Sequence, residues 1–530
     1  MESKVNRIFK NTVYLYGNTA FSMFVSLLST RLILNALGKD DFGIFCIVGG
    51  AIALLGFING GMAGATQRFI NYAEGAGLKE NKIKIFNASI SIHLGISLIS
   101  FIALEIAFFL FFNGILNIPT DRIYAAKWIY QFSVLSTILT IQTTPYNALI
   151  NAHEDLKYYS IVGFIFTSIK LIIAILIVYI STDKLILYGI LTTTSCLLNI
   201  IIVRTFCHSH YDECIFTPKK YFDKDIAKEM LSYASYAFLT TITYACSVYG
   251  GNIVVNNFFG TSINAAQGVA SQISGQLMVF PNNLLMAINP IIGKSAGNKD
   301  YNSMIKYAQT SSKLSFFILL FFAIPFILET NWIMNVWLKN IPEWAIIFCQ
   351  LEVIRKLLDQ LLVGLRNAIN ADGHIKYYSR VQSILYILPL PITFILFSCG
   401  FQPVWLYISW ILCLNIFASY NVIQQAHRYC HLNRKDFFIS LIGRCITVAV
   451  IMLAFGYFPH YFINPSLWRV ILVGTLTSIS FGISVWYLAL TDTEKQMTVH
   501  AVQLIKSKIT FKLNSTCKCN RILINNLFKF

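Results

Sequence analysis

Fourteen apolar stretches divide this chain, and its lysines and arginines gather in every second gap between them. The stretches run 11–37, 42–70, 85–113, 124–150, 157–181, 185–206, 230–258, 262–293, 307–332, 342–370, 377–398, 402–426, 437–457 and 467–490. Counting the cations near a stretch's end with the gap it adjoins, 30 of the 41 Lys and Arg belong to the alternate gaps and the two ends, 6 to the remaining gaps and 5 to the stretches. A water-soluble core has no reason to sort cations by loop parity, whereas a chain threaded through a bilayer does. Each stretch reaches the roughly 20 residues that cross a bilayer core as a helix. The reading is an all-α polytopic membrane protein of about fourteen transmembrane helices, with both termini cytoplasmic, in a bacterial inner membrane.

Composition points the same way. The chain is 56% hydrophobic and only 12% charged, with mean hydropathy +0.61, against about 25% charged in ordinary soluble domains. The net charge of +17 is therefore read as a collar facing anionic lipid headgroups, not as a nucleic-acid surface. Cys207, His208, His210 and Cys214 form one thiol–imidazole group and Cys517 with Cys519 another, but neither has paired zinc-ligand spacing. No metal is expected. Nor is there a Gly-rich phosphate loop, a zinc-protease motif or a soluble domain to hold one, so the chain is not expected to be an enzyme.

The two halves look related. Asn35-Ala36-Leu37-Gly38 closes the first stretch and Asn257-Phe258-Phe259-Gly260 the seventh. Gly77-Leu78-Lys79-Glu80-Asn81 follows the second, and Gly297-Asn298-Lys299-Asp300-Tyr301-Asn302 follows the eighth. The offsets, 222 and 220 residues, imply parallel six-helix repeats about a central cleft. The expected division is an N-terminal lobe (1–225), a C-terminal lobe (226–428), two additional transmembrane helices (429–490) and a basic cytoplasmic tail (491–530). In the tail, Val502, Ile505 and Ile509 with intervening lysines form an interfacial helix pattern.

Three segments carry a resemblance. Thr30-Arg31-Leu32-Ile33-Leu34-Asn35-Ala36-Leu37-Gly38-Lys39-Asp40-Asp41-Phe42-Gly43-Ile44-Phe45 resembles the first-loop signature of polysaccharide transporters in the multidrug/oligosaccharidyl-lipid/polysaccharide exporter (MOP) superfamily, the O-antigen and capsule flippases. Met62-Ala63-Gly64-Ala65-Thr66-Gln67-Arg68-Phe69 looks like the close of their second span. Pro145-Tyr146-Asn147-Ala148-Leu149-Ile150-Asn151-Ala152-His153-Glu154 is similar to the end of their fourth. The match covers about the first 200 residues. It implies two lobes that rock to alternate access around a cationic cavity, and an undecaprenyl-pyrophosphate-linked oligosaccharide as cargo. Membrane lipids, a polysaccharide polymerase and glycosyltransferases are the other expected partners. No cofactor is implied beyond a coupling ion, H+ or Na+. The alternatives are a multidrug antiporter of the same superfamily and a peptidoglycan-precursor flippase.

Charges inside the stretches are the candidate working residues, since each costs something like 2.5–3.5 kcal/mol at mid-bilayer unless it faces a wet cavity or a partner. Arg31, Lys170, Arg355 and Lys356 are the candidate cargo contacts, with Arg444 assigned to packing. A guanidinium presents a planar fork matched to phosphate oxygens. Glu352 with Arg355, and Arg355 with Asp359, also have the spacing to neutralise one another along a helix. Gln67, Arg68 and Glu154 are candidate inner-gate residues. Glu105 and Asn252 are candidates for ion coupling, and Asp359 for gating. Tyr16, Asn18, Tyr244, Tyr249 and Asn252 are candidate sugar-facing groups.

Overall fold

The computed structural model describes residues 56–77, 79–112, 120–180, 182–338, 341–491 and 494–495, together with positions 14–22, 24–26, 28–29, 32–33, 36–37, 41 and 44–45. The described residues form helices and connecting turns, with no strand among them. The first helix, α1, is helical at its described positions within 14–37. After it come α2 (Gly56–Ala76), α3 (Lys79–Leu110), α4 (Ile123–Ala152), α5 (Leu156–Tyr179), α6 (Lys184–His210), the short α7 (Pro218–Tyr221) and α8 (Lys224–Gly297). The chain continues as α9 (Tyr301–Trp337), α10 (Ala345–Gln360), α11 (Val363–Asp372), α12 (Ile375–Ile387) and α13 (Pro389–Ser398). It closes with α14 (Trp405–Trp410), α15 (Ala418–Tyr429), α16 (Arg434–Asp436), α17 (Arg444–Phe462) and α18 (Leu467–Ser484). Arg31 and the tail pattern at Val502, Ile505 and Ile509 lie outside the described residues.

Nine of the described helices are long and apolar enough to cross a bilayer. Their outward faces carry large apolar side chains, such as Ile106 and Phe109 on α3, Phe455 on α17 and Ile483 on α18, each more than half exposed. So continuous an apolar surface would be untenable in water and calls for lipid. α9 sits more centrally: 56% of its most apolar window is buried, against 22% for α5.

Stretches seven and eight are continuous in helical assignment as α8, 74 residues long. It cannot be straight. In α2, Gly61 packs on Phe238 and Gly75 on Lys294. The two glycines are about 21 Å apart along their helix, but a straight α8 would separate its two contact points by about 84 Å. The element therefore turns back on itself. The turn lies at the end where Val255, Ile263 and Ala266 join Met334, Phe348, Tyr407 and Trp410 in one apolar cluster. Lys224–Phe259 of this helix is long and apolar enough to span a bilayer.

The end opposite that cluster carries the charged connections at 77–84, 153–155, 211–224, 298–300, 372–376 and 430–436, and is termed here the basic end. There α2 and α8 cross at very short range. A Cβ built on Gly75 would sit 2.1 Å from the Lys294 carbonyl oxygen, and one on Gly297 would sit 2.1 Å from that of Tyr72. Only glycine allows backbones so close. These glycines border the two loops that resemble each other in sequence, so those segments meet each other face to face.

The last two long helices attach to α9. Glu329, 1% exposed, accepts from Arg469 Nη2 at 2.7 Å and lies 3.0 Å from His460 Nδ1. At the basic end, Lys313 of α9 donates to the Ala489 carbonyl and pairs with Glu494 at 2.6 Å, while Arg444 donates to the same carbonyl at 3.1 Å. Arg444 thus satisfies an orphan acceptor at a helix C-terminus, in keeping with a packing role.

Candidate functional site

Two constellations stand out among the described residues. One is a latch at the basic end. Arg68, near the end of α2, donates from Nε to the Ala371 carbonyl (3.2 Å) and from Nη2 to that of Asp372 (3.0 Å). These are the last carbonyls of α11, without intrahelical partners and at the negative end of its dipole, so a cation belongs there. The guanidinium also lies over the rings of Phe69 and Tyr233, 4.8 and 4.9 Å from their centroids, and Tyr233 donates its hydroxyl to the Asn370 carbonyl. Gly373 ends α11 at φ +97°, and a Cβ there would fall 1.8 Å from Arg68 Nη2. That position needs glycine for its backbone and for the space.

The second bond of the latch joins Glu154, directly after α4, to Lys294 of α8 at 2.9 Å. Arg68 and Glu154 therefore both bridge to the second half of the chain, but to separate partners and not to each other. Gln67 does neither: it donates to Asn71 (2.9 Å) and accepts from Asn151 (3.3 Å), which ties α2 to α4. Between α1 and α8, Tyr16 donates to the Phe280 carbonyl beside Pro281, which lies within α8, and Asn283 donates to Thr19. Asn18 lies against Gly163 of α5.

The other constellation is buried in the C-terminal lobe. On α10, Arg355 grips Glu352 with both prongs of its fork, Nε at 2.7 Å and Nη2 at 2.6 Å, and each residue is 4% exposed. Ser274 of α8 approaches Glu352 (3.3 Å), Trp410 lies under Arg355, and Asn415, in a π-helical segment, donates to the Arg355 carbonyl. Tyr244 brings its hydroxyl within 3.4 Å of both Arg355 and Lys356. Lys356 stands 3.8 Å from Glu352, and its side chain is 20% exposed. The expected Arg355–Asp359 pair does not form, because Glu352 already occupies the guanidinium. Asp359 pairs instead with Arg366 of α11 at 2.8 Å. Arg366, counted from sequence as a loop cation, is folded back onto the C-terminus of α10 and donates to the Asp359 carbonyl as well. Only the turn between α10 and α11 brings it there, and no sequence spacing announces that turn. Tyr244 and Tyr386 stack edge to face beside the cluster. Three cations thus face two carboxylates.

The remaining candidates are dispersed. Lys170 is exposed on α5, seven residues and so almost two full turns beyond Gly163, on the face that meets α1 through Asn18 and Ser22. No ion-pair partner for it occurs among the described residues. Glu105 of α3 accepts from Gln131 at 3.3 Å through one oxygen, and its other oxygen is buried without a partner. Asn252 is half-buried next to Gly251, which packs on Trp410. Tyr249 is 57% exposed. Of the thiol–imidazole group, Cys207 and Cys214 point inward, whereas His208 and His210 are exposed; no metal-holding set forms from them among the described residues.

No protein-family model and no curated protein matches the chain. Solved structures do match in fold. An outward-facing multidrug resistance MATE family transporter of the MOP superfamily superposes with TM-score 0.69 at 12% identity, covering 82% of this chain and 98% of that one. A MATE structure in the bent conformation gives 0.69 at 13%, covering 81% and 97%. A MOP superfamily transporter from Pyrococcus furiosus, described as having a binding pocket of reverse polarity that suggests a different function, gives 0.65 at 13%, also covering 81% and 97%. The chain has a MATE-like fold.

Proposed function

We propose that this protein is an alternating-access exporter of an anionic, lipid-linked oligosaccharide, moving it from the cytoplasmic to the periplasmic leaflet for surface-polysaccharide assembly. The basic end would face the cytoplasm, as the distribution of cations favours. The observation that carries the choice of cargo is the C-terminal-lobe cluster. Arg355, Lys356 and Arg366 outnumber Glu352 and Asp359, and Tyr244 and Tyr386 stand beside them. Arg355 and Arg366 are neutralised by their bidentate or close partners. Lys356, partly exposed and only loosely held, supplies the surplus charge for a diphosphate. The tyrosines supply flat surfaces and hydroxyls for sugar.

The latch supports the mechanism. Arg68 and the Glu154–Lys294 pair close the basic end in this state, and cargo entry from the cytoplasmic leaflet requires both to part. Exchange between closed and open basic ends then carries the bound headgroup across. Lys170, on the face of α5 that meets α1, would extend the cationic path, and Arg31, outside the described residues, is the further candidate for it.

A second reading, export of cationic drugs, draws on Glu105, whose unpaired buried oxygen is the kind of site a cation or proton neutralises. The two readings separate on one variant. Lys356→Ala should abolish surface-polysaccharide display at unchanged membrane abundance. Under the drug reading display stays intact, while Glu105→Gln raises drug sensitivity.

A further inference from the structure

Three side chains from separate elements converge at the basic end of the N-terminal lobe. Glu74 comes from the last turn of α2, His153 follows α4 directly, and Glu213 lies between α6 and α7. His153 Nε2 is 2.6 Å from Glu213 Oε1, and His153 Nδ1 is 3.9 Å from Glu74 Oε1. One donor atom from each residue lies within 4.8 Å of the other two. Their side chains are 20%, 23% and 10% exposed, screened from bulk water yet reachable from it.

The surroundings hold these donors in place. The imidazole lies flat on Tyr211, with ring centroids 4.1 Å apart and planes 7° apart. Tyr211 donates its hydroxyl to Asp155 at 2.7 Å, fixing the ring that orients His153. Glu74 Oε2 is held by Lys82 at 2.5 Å, which leaves Oε1 turned toward the histidine. Outer contacts that orient each ligand are what a metal centre requires beyond the ligands themselves.

We propose that Glu74, His153 and Glu213 form a site for a divalent transition metal. One imidazole nitrogen and two carboxylates suit Zn2+, Mn2+ or Co2+ better than Mg2+ or Ca2+, which take oxygen ligands. The site would staple α2, the end of α4 and the α6–α7 connection together. The residue after His153 is Glu154, at φ +61° and paired with Lys294 across the lobes. An occupied site therefore braces the backbone that presents the latch carboxylate, whatever the cargo.

The test uses the full chain in detergent, stripped with chelator and titrated with Co2+. Calorimetry should show one saturable site, and the visible spectrum should lack a thiolate charge-transfer band, which separates this site from the chain's cysteines. Bound Co2+ should raise Tm. His153→Ala should remove the site, and the milder Glu74→Gln, which leaves the His153–Glu213 contact intact, should weaken binding by at least about tenfold. Metal-free melts of both variants check folding. Absence of saturable binding, a thiolate band, or unchanged affinity in a folded Glu74→Gln protein each overturns the proposal.

Discussion

Removing the Arg68 side chain should unlock the basic end. Arg68→Ala forfeits two charge-assisted hydrogen bonds to the α11 carbonyls, each worth about 1.5–3 kcal/mol when made to a charged group. It also forfeits two ring contacts, at roughly 0.5–1 kcal/mol each. In the open state a freed guanidinium regains water, so the net bias toward the closed state lies below the low end of that sum, at about 3 kcal/mol. That corresponds to a shift of roughly 150-fold in the open-to-closed ratio. Arg68→Lys keeps the charge but not the fork, and should recover part of the shift. The reporter is a single cysteine at Ser295, which is 9% exposed in the α2–α8 crossing, in a cysteine-free background. An impermeant thiol reagent should label it slowly in the parent and much faster with Arg68→Ala, from the cytoplasmic side. Equal labelling rates at equal membrane abundance would show that Arg68 does not hold the lobes together, and labelling from the opposite side would overturn the assigned topology.

Other expectations follow from the same contacts. Gly297→Val should force α2 and α8 apart, because even a Cβ meets the Tyr72 carbonyl at 2.1 Å. Overpacking of this kind costs about 1–3 kcal/mol, and faster labelling at Ser295 is the readout. Arg355→Leu alone should lower membrane yield, since it strands Glu352 at a cost of about 3–5 kcal/mol. Replacing both by Leu should restore yield, and if Lys356 carries the cargo contact, polysaccharide display should return with it; restored yield without display would make Arg355 a cargo contact in its own right. The Glu494 carboxyl is held below the ordinary carboxylate range: burial opposes ionisation, but the hydrogen bond and charge of Lys313 and the hydrogen bonds with Thr491 together outweigh it. Its folded pKa is depressed, so its stabilisation is present above the unfolded pKa near about 4.3 and lost as pH falls through the folded value. Tm measured across that window should fall less steeply for Glu494→Gln than for the parent.

The helices were legible in the sequence because apolar length is a local property, and the bilayer sets that length. α9 and α18 lie where their stretches place them, and the reversal within α8 matches the expected division into spans seven and eight although its helical assignment is unbroken. The buried charges of α10 were legible as a cluster because they share one helix. Partner choice was not. Whether Arg355 takes Glu352 or Asp359 depends on where Arg366 arrives, and that is decided by the α10–α11 turn. Arg68 finds its acceptors some 300 positions downstream, at a helix terminus whose orphan carbonyls belong to no residue type and so leave no mark in the sequence. The Glu74–His153–Glu213 grouping was hidden for the same reason: its members come from three elements, and no metal-ligand spacing joins them in the sequence.

The anchoring of α17 and α18 has a mechanical consequence. Their named polar ties among the described residues, at Glu329 with Arg469 and His460 and at Lys313 with Glu494, all run to α9, so this pair is strapped to α9. In any rocking motion the two lobes then present unequal hulls to the surrounding lipid, and the heavier one meets more viscous drag. Trp468, 73% exposed near the start of α18, rides on that hull far from the cleft. Its fluorescence, quenched by brominated lipid at graded depths, would record the pitch of the C-terminal lobe without any probe in the transport path.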